Sequence, residues 1–264
     1  MARTQRERAF LRDLYISDEW TKRFTDLVDQ NIKFEDVDNL LYLNAGTGSH
    51  CFQLRERLDD KIAIFARCEN EHLAAIAKDK ALAIKADVDF STLRFDDDSF
   101  DLVVADATLL APKEIEDFVS DSVRVAKIGG RVAIFLPSAG SYGEIFSLLW
   151  EVLYNEDLGD HGHAAEDMIT ELPSIERIEG IASRAGLVDI KTHSAREVFE
   201  FKNGSDFIAS PLVSDFLLPE WLKTLNEAEN SRVSAKLAEL IDSEDGDMSF
   251  RFSIKATLLT GRMP

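Results

Sequence analysis

The residues with the clearest chemical potential lie in one short stretch, Leu43-Asn44-Ala45-Gly46-Thr47-Gly48-Ser49, where an apolar run ends and a helix-like segment over 50–58 begins. Strand, small-residue turn and helix in that order is the arrangement of a nucleotide-type site. Glycine lets the backbone turn tightly and lets a ligand approach the main chain closely. The helix start behind it offers N–H groups without intrahelical partners. Other groupings say less. Asp96-Asp97-Asp98 gathers three carboxylates, but its place just before Phe100 reads as a polar turn rather than a metal site. His161 and His163, within an acidic stretch, are of a type that acts as base or metal ligand. With no third ligand in view they read as surface residues. Cys51 and Cys68 cannot build a disulfide framework, and nothing beside them has metal-ligand spacing. They read as buried small hydrophobes or idle thiols, and no metal is expected.

The elements that must hold the glycine turn follow a pattern from residue 38 onward. Short apolar runs at 40–43, 62–66, 82–86, 100–105 and 132–136 read as strands. Helical segments at 50–58, 69–78 and 113–127 alternate with them, the last ended by Gly129-Gly130. Strands apolar on both faces and separated by helices predict a parallel sheet buried on both sides. Right-handed crossovers make it a doubly wound α/β sheet whose ligand site lies beyond the strands' carboxyl ends. Asp106 closes the fourth strand at that edge, either to meet a ligand or to cap the turn into Ala107-Thr108. Residues 5–32 read as two helices divided by an N-cap at Ser17 or Asp18, with Phe10 and Phe24 as core, that pack on the sheet or cover its ligand end. Beyond Pro137 come a helix over 145–153, with Phe146 and Trp150 one turn apart as core, and a helix capped by Ser174. One or two strands over 187–201, helices near 207–218, 220–225 and 231–241, and an alternating strand over 250–259 complete the chain. The simplest organisation is one domain over 1–264: a helical cover (1–36), a core that holds the glycine turn (38–136), and further helices with closing strands (137–264).

Composition bounds the partners. With 264 residues, 45% hydrophobic and 30% charged, the chain has the makeup of a soluble globular protein with one large core. Net charge is 30 − 49 = −19, a field that repels phosphate backbones and disfavours nucleic acid. The basic group Arg3, Arg6, Arg8 and Arg12 reads as a solvated helix face. No basic-then-apolar leader is seen, and no apolar run approaches the roughly 18 residues of a membrane span. The expectation is a cytoplasmic protein.

The series of motifs from residue 40 to 136 resembles the class I S-adenosylmethionine-dependent methyltransferases, particularly the small-molecule branch with the ubiquinone and menaquinone methyltransferases. The turn Leu43-Asn44-Ala45-Gly46-Thr47-Gly48 looks like that family's first motif, and Ile84-Lys85-Ala86-Asp87-Val88 like its third-strand motif. Phe95-Asp96-Asp97-Asp98-Ser99-Phe100-Asp101-Leu102-Val103-Val104 is similar to its approach to strand four, and Arg124-Val125-Ala126-Lys127-Ile128-Gly129-Gly130-Arg131 to its entry into strand five. The resemblance implies a Rossmann-like sheet of seven strands with the last antiparallel, and S-adenosylmethionine as cofactor with S-adenosylhomocysteine as product. It implies cofactor contacts from Asn44, Ala45, Gly46 and Gly48 at the amino acid end, from Asp87 to the adenine amino group, from Val88 beside the ring, and from Asp106. The chain departs from the pattern in four places: Tyr42 and Arg67 stand where the family has acids, Asn44 where it has its first glycine, and Leu110-Ala111 where many relatives carry adjacent histidines. Glu69, two residues after Arg67, takes the ribose role if the turn is reshaped. Tyr142 is a candidate substrate contact, and Phe207, Phe216, Leu217 and Trp221 would wall the substrate side. No catalytic residue is assigned, because in-line methyl transfer needs a base only for a poorly acidic nucleophile. The function implied is methyl transfer to a small molecule. The alternative, suggested by the lost acids at Tyr42 and Arg67, is a catalytically silent subunit of the same fold that binds or assembles with a protein partner.

Overall fold

The computed structural model describes residues 3–90, 94–245 and 249–264. Six strands form one sheet in the order β2-β1-β3-β4-β6-β5. These are β1 (Asn39–Leu43), β2 (Ala63–Arg67), β3 (Phe100–Asp106), β4 (Ala126–Ser138), β5 (Val188–Phe201) and β6 (Phe250–Arg262). β1 is flanked by β2 and β3, both parallel to it, with Leu43 opposite Arg67 on one side and Ala105 on the other. β4 runs parallel to β3, and the last strand is antiparallel. The helices are α1 (Gln5–Leu11), α2 (Lys22–Asn31), α3 (Ser49–Arg57), α4 (Glu71–Ile84), α5 (Ile115–Arg124), α6 (Gly143–Asn155), α7 (His163–Thr170), α8 (Ile175–Arg184), α9 (Gly204–Ala209), α10 (Leu218–Trp221) and α11 (Glu227–Asp245).

The chain divides into two compact units. The first comprises Met1–Leu136, Ser174–Ala195 and Ala256–Pro264. Alternation along β1 sends Leu41 and Leu43 into a core with Val103, Ala105, Val119, Val123, Ile178 and Ile181. On the opposite face Tyr42 meets the edge of Phe135, whose ring lies 6.3 Å from Phe24, which in turn lies 5.3 Å from Trp20. The second unit comprises Pro137–Pro173 and Arg196–Lys255. Its core is aromatic: Phe199 stacks on Phe252 at 4.8 Å, Tyr142 stacks on the same Phe252 ring at 6.2 Å, Phe207 meets Phe250 and Phe252 edge-on, and Trp221 meets Tyr142 edge-on.

Several expectations are corrected. Among the described residues the sheet has six strands, not the expected seven, because residues 82–86 are not a strand. The run Glu71–Ile84, rich in alanine, leucine and lysine, continues as helix until Lys85 caps it at φ +56°. What remains of a third strand is a single parallel bridge between Asp89 and Phe65. The sequence reads as a polar, aspartate-rich loop over 93–98, of which Leu93 lies outside the described residues. The N-terminal helices do not part at Ser17. Helix continues from Gln5 to Asn31 through a π-helical stretch, Arg12–Thr21, and the Ser17 hydroxyl donates back to the Arg12 carbonyl at 3.2 Å instead of capping a new start. Phe24 is core, but Phe10 is 47% exposed. Gly129 and Gly130 do not end a helix: α5 stops at Arg124, and both glycines lie inside β4 where its register with β3 shifts.

Gly48 closes the glycine turn at φ +82°, and a Cβ placed there would come 2.6 Å from the Phe90 ring. Gly129 has a similar φ of +79° with nothing within 4 Å of its Cβ position. Gly48→Ala is therefore expected to destabilise by more than the about 1–2 kcal/mol of left-handed strain that Gly129→Ala carries. Urea unfolding of both variants checks this, and equal losses would show that Phe90 does not hold the turn.

Candidate functional site

The site forms where β1 ends. Asn44, Gly46 and Gly48 all take positive φ, of 56°, 57° and 82°, so the chain curls back on itself immediately after the strand. The curl is pinned from both neighbouring strands. The Ala45 amide donates to the Arg67 carbonyl at 2.9 Å, and the Asn44 side-chain amide donates to the Asp106 carbonyl at 3.1 Å. Asparagine serves at the first of these positions because it tolerates the left-handed region better than most residues. The Gly46 amide donates to the Glu69 carboxylate at 3.0 Å. Glu69 thus reaches the turn, whereas the Arg67 guanidinium turns away and donates to Asp121 at 3.1 Å.

Above the turn lies a side chain that sequence reasoning placed on a solvated face. Arg12 is buried, with its guanidinium paired to Glu69 and 3.9 Å from the Asp106 carboxylate. A Cβ added to Gly46 would sit 3.3 Å from Arg12 Nε, so the guanidinium rests directly on the glycine. The neighbouring Asp13 accepts from the Thr47 hydroxyl at 2.6 Å and from Lys80 at 2.5 Å, tying the π-helical stretch to the turn and to α4. The cavity left among Arg12, Tyr42, Ala45, Gly46, His50 and Asp106 measures about 20 Å³, room for about one water molecule.

Asp106 is 4% exposed, and one carboxylate oxygen accepts from the Thr108 amide at 2.8 Å, so it caps the turn leaving β3 while its other oxygen faces Arg12. Burial pushes this carboxyl up from 3.8 to about 6, with the Arg12 guanidinium and the Thr108 hydrogen bonds opposing. Below it runs a second polar chain. The Tyr42 hydroxyl is 3.0 Å from His50 Nδ1, and His50 Nε2 is 3.1 Å from Asp29, which also accepts from Arg57 at 2.6 Å. Partial burial works against ionisation of Asp29, but hydrogen bonds from His50 and Arg57 hold it at about 2. With Asp29 ionised, His50 Nε2–H donates to it, while burial keeps the Tyr42 phenol neutral. A neutral, fully paired hydroxyl therefore lies under the turn.

The structure brings Asn44, Ala45, Gly46, Gly48, Glu69 and Asp106 together. It does not bring Asp87 and Val88 to them. Asp87 is exposed, and both line a separate groove of about 750 Å³ with Lys78, Leu82, Lys85 and Phe90. The residue from this stretch that touches the turn is Phe90, against Gly48. His161 and His163 are exposed. Tyr142 is 1% exposed in the core of the second unit, as are Phe207 at 0% and Trp221 at 3%. The aspartate run is a turn around Arg124, which donates to Asp97 at 2.5 Å and to the Phe95 carbonyl at 3.1 Å. Cys51 is buried and Cys68 half-buried, and burial pushes both thiols up, Cys68 to about 12. Arg12, Asp13, Thr47, Lys80 and the Tyr42–His50–Asp29 chain went unforeseen. One signal for Arg12 existed: it falls four residues before Ile16 on the stripe Ile16, Trp20, Phe24, all three 0% exposed.

Comparison with known proteins agrees with this geometry. Residues 41–134, which hold the turn, Glu69 and Asp106, match the family described as methyltransferase domain. No curated protein matches the chain by sequence. The chain is similar in fold to the YcgJ protein of Bacillus subtilis, with a TM-score of 0.59 and 14% identity over 92% of this chain and 98% of that one. It is similar to the phosphoethanolamine N-methyltransferase 2 of Haemonchus contortus solved with S-adenosyl-L-methionine, with a TM-score of 0.57 and 17% identity over 98% of this chain and 57% of that one. It is also similar to the geranyl diphosphate C-methyltransferase of Streptomyces coelicolor, with a TM-score of 0.50 and 14% identity over 92% of this chain and 79% of that one. At these identities the likeness is one of fold. The fold is thus a Rossmann-like sheet whose residues 41–134 match the methyltransferase-domain model, and among the described residues no helix is long and apolar enough to cross a membrane.

A carboxyl protonated more readily in the folded than the unfolded chain makes stability fall as pH rises from 3.8 to about 6. For Asp106 this is a cost on the order of 3 kcal/mol, fully present above that window. Relative to wild type, Asp106→Asn should gain about 1.5 kcal/mol of stability between pH 5 and pH 8. Denaturant melts at the two pH values measure it, and an unchanged difference would contradict the assigned ionisation.

Proposed function

We propose that the chain binds S-adenosylmethionine at the Asn44–Gly48 turn and transfers its methyl group to a small molecule. The observation that carries this reading is the convergence of Glu69 and Asp106 on the positive-φ turn at the carboxyl edge of β1 and β3, within the segment that matches a methyltransferase domain. The donor set suits such a ligand. Glu69 offers a carboxylate to ribose hydroxyls or an ammonium group, Gly46 and Gly48 let the main chain approach, and Asp106 places a second carboxylate beside the same space. Bound there, the cofactor supplies an electrophilic methyl on a sulfonium.

The chain's own part is positioning and exclusion of water. The turn is buried from Gly46 to Gly48, and the sheet edge holds Glu69 and Asp106 at fixed distances from it. A phenol kept neutral by burial, its hydroxyl paired with His50, stands at Tyr42 in place of the carboxylate of the family pattern, so the site carries one negative charge fewer than that pattern implies. The inferred substrate is a small molecule rather than a nucleic acid, in keeping with the net charge of −19. A second reading, a silent binding subunit of the same fold, draws on one observation, that Arg12 lies on the glycine turn with about 20 Å³ left beside it.

Calorimetric titration with S-adenosylmethionine separates the two. Binding that weakens at least tenfold in Glu69→Gln supports the cofactor reading, and no heat at millimolar cofactor for wild type and variants alike would contradict it.

A further inference from the structure

We infer that Arg12 is an internal stand-in for the ligand's positive charge, and that the helical strap bearing it must swing off the glycine turn before the cofactor can bind. The inference rests on the cofactor reading above and adds to it a latch built from this chain's own residues. Four observations carry it. The guanidinium sits between the Glu69 and Asp106 carboxylates, the two groups the turn offers to a cation. It rests on Gly46, the residue through which a ligand would approach the main chain, and the adjoining cavity of about 20 Å³ excludes anything much larger than a water molecule. The strap is also fastened where Asp13 bonds Thr47 and Lys80. The segment carrying both fasteners is π-helical, Arg12–Thr21, a geometry that is rare in long runs and frequent at functional sites.

Charge decides what can take the place of Arg12. Withdrawing the guanidinium alone would leave a buried Asp106 and a largely covered Glu69 facing each other without a counter-charge, which is costly. The exchange is cheap only if the incoming group is itself cationic, as a sulfonium or ammonium is. Arg12 then competes with the ligand, and the apparent affinity is lowered by the fraction of molecules whose strap is closed.

The test uses the full chain, S-adenosylmethionine as probe, and amide hydrogen exchange as a readout independent of any activity. In Arg12→Ala, and in Asp13→Asn, which loosens the strap without touching the carboxylates, the amides of residues 5–21 should exchange at least tenfold faster while those of β1 and β3 stay protected. Both variants should bind S-adenosylmethionine at least tenfold more tightly than wild type. Binding equal to or weaker than wild type in both variants would overturn the latch, since Arg12 would then be a ligand contact or a structural residue. If no form binds the cofactor, the cofactor reading falls and exchange alone judges the latch: faster exchange confined to 5–21 upholds it, and unchanged exchange overturns it.

Discussion

The contact between Arg12 and Glu69 above the Gly46 amide joins three parts of the chain that are far apart in sequence. Glu69 accepts from the turn with one oxygen and from the strap with the other, so a single carboxylate fixes the end of β2, the turn after β1 and the N-terminal helix at one point. A buried guanidinium needs a carboxylate partner. A turn with three positive-φ residues in five needs acceptors for the amides it turns outward. Each requirement meets the other here. Placement of the N-terminal helix, burial of Tyr42 and His50 beneath it, and the narrowness of the space by Asp106 all follow from that shared anchor.

Asp106 and Tyr42 show how the same constraint shapes the electrostatics. Both are shielded from water by the strap, and each meets burial in its own way. Asp106 keeps Arg12 and the Thr108 amide nearby and still titrates near 6. Tyr42 stays a neutral phenol, its hydroxyl paired through His50 to an aspartate held at about 2. At position 42 the hydrogen-bonded chain through His50 to Asp29 keeps a polar group under the turn without adding charge.

The parallel sheet and the turn were legible in the sequence because strands buried on both faces leave nothing but apolar residues, as in Leu40-Leu41-Tyr42-Leu43, and because only small residues suit the curl that follows. The third strand misled because Leu82-Ala83-Ile84 is apolar in either conformation, and the helix begun at the Asn70 cap simply ran through it. Asp87 went with that strand: placing it by motif put it at the turn, whereas the longer helix leaves it exposed and brings Phe90 to Gly48 instead. Arg12 was missed because a lone arginine among Arg3, Arg6 and Arg8 looks like a solvated face. Its burial depends on two carboxylates 57 and 94 residues away, a long-range pairing that local pattern does not encode.

A crystal structure of the chain grown with S-adenosylhomocysteine bears most directly on the central claim, that the turn after β1 is a cofactor site closed by the chain's own arginine. The account predicts ligand density along Ala45 to Gly48 within reach of Glu69, with the Arg12 guanidinium moved off that carboxylate. Arg12 still resting on Gly46, with the ligand elsewhere or missing at saturating concentration, would contradict it.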